Sequence, residues 1–554
     1  MESYMVLQMI GLLSRRSSIN LVLVVLAMIT PLNSLASTAE EVELGRRIYM
    51  EGVLPSGEPL KAERQNTVQL EGAAAACETC HRRSGMGSLE GNIPVMPVTG
   101  RYLYATAENR PLALLDTREA KDVTLPHASY TQDTLAKAIR EGVNVGGHNM
   151  SVLMPHYALK DSDIKVLSAF LDQLSSGLSP GVGEDSLHLA TIITPNVDPK
   201  KSDVMVKMLH KAFEQRNATQ EFHSGRMRTP LDLLPRKLRN WDLTVWELKG
   251  APETWGAQLS GYYKEKPVFA VLSGISTTTW EPINQFCEQQ KLPCLLPSIP
   301  LAPAEQSFYS VYFSKGVTLE AAVLAKKLRA QESKLPKRII QIYSDDEVGR
   351  GAAKALKDAV QGSNISLEDR MLSSSEPKSL KVALEGVSNN DALILWGKSA
   401  DLKLLNKAAG KIVPETIYVS GFLAHEDYSF SSKSWKSHLR VIYPYELGGK
   451  REKNLAMMKQ WLIAWQFPLI DETFQAEVFF DALLMTELSS QMLDNLYRDY
   501  LLERAEDMLS AGSNVSTYPH LSLSRGQRFA SKGAYIAKLD VDGKLVADSD
   551  WLIP

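Results

Sequence analysis

From residue 188 to the C-terminus the chain alternates short apolar runs with amphipathic stretches, and this alternation restricts the fold more than any other feature. Strands are predicted at 188–194, 243–248, 268–272, 293–296, 338–343, 392–396 and 416–420, with helices at 202–215, 254–264, 280–290, 317–330, 349–360, 453–465 and 472–494. Val268-Phe269-Ala270-Val271-Leu272 and Ala392-Leu393-Ile394-Leu395-Trp396 are apolar at every position. A strand reads that way when both of its faces are covered, as in a parallel sheet. Helices between such strands supply the crossovers that parallel pairing requires. The pattern therefore specifies α/β layers, with enough strands for two sheets. In folds of this kind ligands sit beyond the carboxyl ends of the strands.

At 554 residues the chain is too long for one ordinary domain. The run Ser175-Ser176-Gly177-Leu178-Ser179-Pro180-Gly181-Val182-Gly183 has no periodicity and reads as a short, semi-flexible joint. Ahead of it stands Cys77-Glu78-Thr79-Cys80-His81. A C-x-x-C-H motif attaches a c-type haem: the two thiols add to the vinyl groups, and the histidine becomes the proximal iron ligand. A zinc site would require four ligands, and the other cysteines, Cys287 and Cys294, lie far along the chain. A redox dithiol would follow a strand and open a helix, whereas the flanks here are Gly72-Ala73-Ala74-Ala75-Ala76 and Arg82-Arg83-Ser84-Gly85.

Amphipathic helices are predicted at 40–49 and 131–141, and at 160–174 with an Asp cap. Between the second and third lie a glycine-rich loop, 142–150, and Met154-Pro155. With the attachment motif, this order resembles the class I cytochrome c domains. The resemblance implies an all-α domain over 37–175 carrying one covalent haem c. Cys77 and Cys80 hold the thioether positions, His81 the proximal position and Met154 the distal one. Met96, Met150, His148 and His156 compete for the distal position, and Met154 is preferred because it stands in the family's loop before the closing helix. Pro94 is expected to offer its carbonyl to His81, and Arg101 to meet a haem propionate.

The first 36 residues run from Arg15-Arg16 through an apolar stretch at 21–29 to Ser34-Leu35-Ala36, the order of a secretory signal. Cleavage is expected after Ala36, or else after Ala39, and an uncleaved anchor is the other reading. No later stretch is long and apolar enough to span a bilayer. Export into an oxidising periplasm suits covalent haem, and it leaves Cys287 and Cys294 either as a small-loop disulfide or as two buried thiols. A net charge of −3, with 44% hydrophobic and 23% charged residues, offers no global attraction for nucleic acid or an anionic membrane.

The segment 188–554, beyond a linker at 176–187, resembles the type I periplasmic binding proteins. The similar stretches are Val268-Phe269-Ala270-Val271-Leu272-Ser273-Gly274, Ile342-Tyr343-Ser344-Asp345-Asp346, and Phe474-Gln475-Ala476-Glu477-Val478-Phe479-Phe480-Asp481-Ala482, which is like the family's "yDA" helix. The resemblance implies two lobes that hinge shut on a small molecule. It points to Ser273, Ser276 and Thr277 as cleft residues, although they also suit the approach to the helix near Trp280. Asp345 and Asp346 read as turn residues. No nucleophile constellation, phosphate loop or paired-carboxylate site stands out.

The expected function is one-electron transfer through a His/Met haem, with redox donor and acceptor proteins as partners and a fused small-molecule-binding domain. Two alternatives are a haem enzyme or dehydrogenase subunit, and a transport receptor with an accessory haem domain.

Overall fold

The computed structural model describes residues 37–64, 67–91, 93–104, 128–223, 239–304, 307–331, 336, 338–373, 376–424, 428, 432–510 and 516–554. The signal expected over 1–36 lies outside them. The chain divides into two compact units, Met1–Thr79 with Tyr130–Leu174 and Cys80–Ser129 with Ser175–Pro554. Among the described residues no helix is long and apolar enough to cross a membrane.

In the first unit, helix Ala39–Glu51 opens on a capping box: Thr38 Oγ1 accepts the Glu41 N–H at 3.1 Å, and the Glu41 carboxylate accepts the Thr38 N–H at 3.0 Å. It packs across helix Asp161–Gln173 at Gly45, where a Cβ would fall 2.0 Å from the Val166 carbonyl oxygen. Close backbone approach there lets the Tyr49 and Phe170 rings meet at 5.4 Å. The predicted stripe of helix Gln132–Glu141 is buried at Leu135, Ala138 and Ile139. The Asp cap is displaced: Asp163, not Asp161, reaches back to accept the Lys160 N–H at 3.0 Å.

Strands are numbered along the whole chain. The expectation of an all-α domain is corrected by an antiparallel sheet in which β1 (Lys61–Arg64) lies between β2 (Val68–Glu71) and β5 (His156–Tyr157). The reason lies in the stretch read as a polar loop: Leu60 and Ala62 are buried while Lys61 is exposed, an alternation with the period of a strand.

The second unit begins with a small hairpin, β3 (Ser88–Glu90) and β4 (Ile93–Val95). It continues as two sheets. The first holds β6 (Ser186–Ile193), β7 (Asn240–Glu247), β8 (Ala270–Leu272), β9 (Cys294–Leu295) and β10 (Ser310–Val311), all parallel, in the order β10-β9-β8-β6-β7. The second holds β11 (Ile339–Ser344), β12 (Leu367–Leu372), β13 (Ala392–Trp396), β14 (Thr416–Ser420) and β15 (Leu439–Tyr443), again parallel. It ends in antiparallel β16 (Tyr535–Leu539) and β17 (Leu545–Ala547), giving the order β12-β11-β13-β14-β15-β16-β17. Each lobe thus begins with a strand flanked by its two successors, the doubly wound arrangement that opens a crevice at the strands' carboxyl ends. Cys287 and Cys294 form a disulfide that ties helix Glu281–Gln289 to β9.

The expected domain limits change in two places. Residues 80–104, assigned to the haem domain, are compact with the two lobes because buried carboxylates of helix Arg498–Ser510 hold them. Glu503 accepts the Ser84 N–H at 2.9 Å and its hydroxyl at 2.5 Å, and Glu506 pairs with Arg82 at 2.6 Å. The semi-flexible joint is instead docked. Arg498 donates to the Pro180 carbonyl, a Cβ on Gly181 would stand 2.1 Å from the Phe269 nitrogen, and Ser186 already belongs to β6.

Candidate functional site

Both sheets of the second unit aim their carboxyl ends at one cleft of about 480 Å³. From the first lobe come Lys201 after β6, Ser276 and Thr277 after β8, Ser298 after β9 and Phe313 after β10. From the second come Asp346 after β11, Trp396 and Lys398 at the end of β13, Phe422 after β14 and Tyr445 after β15. Helix Glu472–Met492 adds Phe474 and Glu477 to the lining, and Tyr518 completes it.

Of the three hydroxyl residues read from the sequence, Ser276 and Thr277 line the cleft and Ser273 does not. Ser273 has φ +54° and donates both its N–H and its hydroxyl to the Asp481 carboxylate, the latter at 2.9 Å. The Ser276 hydroxyl serves the turn before helix Glu281–Gln289. It accepts from the Thr278 N–H at 3.1 Å and the Thr194 hydroxyl at 3.0 Å, and it donates to the Thr279 carbonyl at 3.2 Å. Asp346 caps helix Glu347–Ala359 by accepting the Gly349 N–H at 2.7 Å, while Asp345 pairs with Arg350.

The most informative cleft side chain was missed in the sequence. Glu477 is buried, accepts the Tyr518 hydroxyl at 2.8 Å and also bonds Ser298; burial pushes its carboxyl up to about 7. Tyr518 stacks on Phe313 at 5.4 Å and meets Tyr445 at 5.2 Å, and Tyr445 meets Phe422 at 5.5 Å, so one wall of the cleft is a run of contacting rings. Lys201 is paired with Asp471 at 2.6 Å, and Asp471 caps helix Glu472–Met492 by accepting the Phe474 N–H at 3.0 Å. A signal was present: Glu477 precedes Asp481 by one helical turn, and two acids on one face within the largely apolar run Phe474–Met485 must both be satisfied inside the protein.

The haem motif is described within each unit. Cys77 is half-buried in the first and Cys80 half-buried in the second. His81 is buried, which lowers its pKa and keeps the imidazole neutral. Its Nδ1–H donates to the Met96 carbonyl at 2.9 Å, which leaves Nε2 as the ring's remaining ligating atom. That partner corrects the expectation of Pro94: Pro94 lies in the β3–β4 hairpin, paired with Leu89 and exposed. Arg101 donates to the Tyr497 hydroxyl at 3.0 Å. Met154 is half-buried in the first unit, its N–H bonded to the Ser151 carbonyl at 2.9 Å; Met150 is half-buried, and His148 and His156 are exposed. Among the described residues no group of three or more His, Cys, Asp or Glu side chains converges to hold a bare metal ion.

No family model and no curated protein matches the chain. Solved structures do. A possible leucine/isoleucine/valine-binding protein from Rhodopirellula baltica aligns over 66% of this chain and 98% of its own, with 13% identity and a TM-score of 0.50. A branched-chain amino acid ABC transporter protein from Thermus thermophilus, solved with bound valine, aligns over 67% and 97%, with 8% identity and a TM-score of 0.50. The two-lobed α/β region therefore has the type I periplasmic binding protein fold. One-electron transfer, expected as the principal activity, is corrected by this finding: two thirds of the chain has the fold of solved proteins described as a possible leucine/isoleucine/valine-binding protein and a branched-chain amino acid ABC transporter, in keeping with the transport-receptor alternative.

Proposed function

We propose that this protein is a periplasmic receptor that captures a small organic molecule for a transport system and carries an accessory covalent haem. The observation that carries the reading is the cleft of about 480 Å³ at the carboxyl ends of both sheets, lined from each lobe and from the crossing helix. Cavities of roughly this size, from about 300 Å³ upward, hold metabolite-sized ligands. Solved proteins of the same fold are described as binding leucine, isoleucine or valine, and amino-acid-sized ligands are the natural starting set. Hinge closure would bring Ser276 and Thr277 of the first lobe toward Trp396 and Tyr445 of the second. A thermal-shift screen of amino acids, amines, amides and organic acids tests the reading. At least one compound should raise the melting temperature and contract the protein in small-angle scattering. Failure of every compound to do either would overturn it.

Cys77 and Cys80 would hold the haem covalently, and His81, through Nε2, and Met154 would supply the ligands to its iron. Such a group supplies a redox-active iron when bound. The residues of the second unit fit it: the imidazole is buried, neutral and fixed through Nδ1 by the Met96 carbonyl. Expressed with haem-attachment machinery, the protein should keep its colour through acid extraction, and Cys80→Ala should weaken that retention. Met154→Ala should abolish the weak red charge-transfer band of the ferric form; a band that survives would sink the distal assignment.

A further inference from the structure

Among the charged residues of the cleft, Glu477 is differently placed from the rest. Asp471 has Lys201 at 2.6 Å, Glu472 has Lys459 at 2.6 Å and Arg451 at 3.2 Å, Asp346 caps a helix, and Asp198 accepts the Lys200 N–H at 2.9 Å. Glu477 is held by hydroxyls of Tyr518 and Ser298, and among the described residues no basic side chain forms an ion pair with it; Lys201, paired with Asp471, acts on it only at longer range. Its carboxyl adjoins the wall formed by Phe313, Tyr518, Tyr445 and Phe422. Aromatic faces attract cations, and a buried carboxylate without a counter-ion is stabilised by one. The lining as a whole carries five acidic side chains, Asp198, Asp346, Asp471, Glu472 and Glu477, against two basic ones, Lys201 and Lys398. Lys201 is already committed to Asp471, which leaves Lys398 against the five acids, so a ligand carboxylate would meet a predominantly acidic lining.

We propose that the cleft selects small organic amines of net positive charge, the ligand's ammonium pairing with the Glu477 carboxylate and its carbon skeleton lying on the Phe313–Tyr518–Tyr445 wall. This selectivity rests on the receptor reading above and narrows it to one ligand class. The protonation state of Glu477 agrees with it: burial pushes the carboxyl up to about 7, and an arriving ammonium favours the ionised form.

The test uses the full-length protein and one carbon skeleton in three charge states: phenethylamine, phenylalanine and phenylacetate. Calorimetric titration at pH 7.5 should give tightest binding for phenethylamine, at least about tenfold weaker binding for phenylalanine, and none for phenylacetate. Glu477→Gln keeps the side chain's shape and removes its charge, and should weaken phenethylamine at least about tenfold, with circular dichroism confirming the fold. Glu477→Asp, which keeps the charge, should recover part of the loss. Preference for phenylalanine or phenylacetate would overturn the amine inference and leave the receptor reading standing. Undiminished amine binding by a folded Glu477→Gln protein would overturn the role of Glu477. Failure of these three compounds alongside the wider screen would overturn both readings.

Discussion

Arg498 is buried at a point where several segments of the second unit meet. Its guanidinium donates to the carbonyls of Phe269 and Gln290 at 3.1 Å, of Lys291 and Pro180 at 3.3 Å, and of Val268, and to the Tyr263 hydroxyl at 2.9 Å. Planar, forked donors suit this task, because one ammonium could not reach so many acceptors at once. Arg498→Met should destabilise the second unit by about 3–5 kcal/mol, since it strands buried carbonyls; Arg498→Lys should lose less. Urea denaturation followed by tryptophan fluorescence measures both, and a loss below about 1 kcal/mol for Arg498→Met would contradict the assigned role. Nothing in the sequence marked this arginine. Buried charge looks like surface charge until its partners are known, and these partners, all backbone carbonyls except the Tyr263 hydroxyl, are scattered between residues 180 and 291.

Helix Arg498–Ser510 shows the same limit for a whole segment. The sequence reading passed over it because Glu503, Arg504 and Glu506 interrupt any apolar stripe, yet all three are buried. Helices 317–330 and strands 392–396 and 416–420 were legible to the residue because their patterns are set by burial of apolar side chains alone. Strands β10, β12, β15, β16 and β17 were missed: β10 is only two residues long, Arg440 interrupts the otherwise apolar β15 inside its sheet, and β12, β16 and β17 are part-polar and lie toward the sheet's edges, where no continuous apolar run is needed. The crossing of helices Ala39–Glu51 and Asp161–Gln173 offers a sharper test. Gly45→Val would press its side chain into the Val166 carbonyl and the Phe170 Cβ, which a bare Cβ would already approach to 2.0 and 2.8 Å. Overpacking of this kind costs typically about 1–3 kcal/mol, and more where backbone must move. The first unit's unfolding transition should shift down or broaden in calorimetry, while the second unit's transition stays in place.

Stability of the second unit should depend on pH through carboxyls buried without a cation beside them. Glu320 accepts the Ser420 hydroxyl and the Phe422 N–H, and Asp481 accepts from Ser273; burial pushes each up to about 8. Their ordinary values are 4.5 and 3.8, so the folded state binds protons that the unfolded state has released at neutral pH. The stabilisation is fully present below the unfolded values and is lost as pH rises toward about 8. The slope is about 1.4 kcal/mol per pH unit for each such group. The melting temperature should therefore fall between pH 5.5 and pH 8.5, and Glu320→Gln should flatten that fall. A melting temperature that rises over the interval would refute the assignment.

The sequence by itself determined the layered α/β class of residues 188–554, the haem-attachment chemistry of Cys77, Cys80 and His81 as an expectation, and the presence of a ligand cleft beyond the strands. These are local properties: periodicity reports burial, and C-x-x-C-H has its meaning within five consecutive residues. Only the tertiary structure decided that residues 80–104 belong with the two lobes, that Ser273 turns away to Asp481, and that the cleft is built around Glu477 and its ring wall. Each of these joins residues far apart in the chain: Ser84 to Glu503, Ser273 to Asp481, and Phe313 to Tyr518. No pattern along the chain encodes such pairs, because their energies arise from burial and satisfaction that exist only once distant segments have packed.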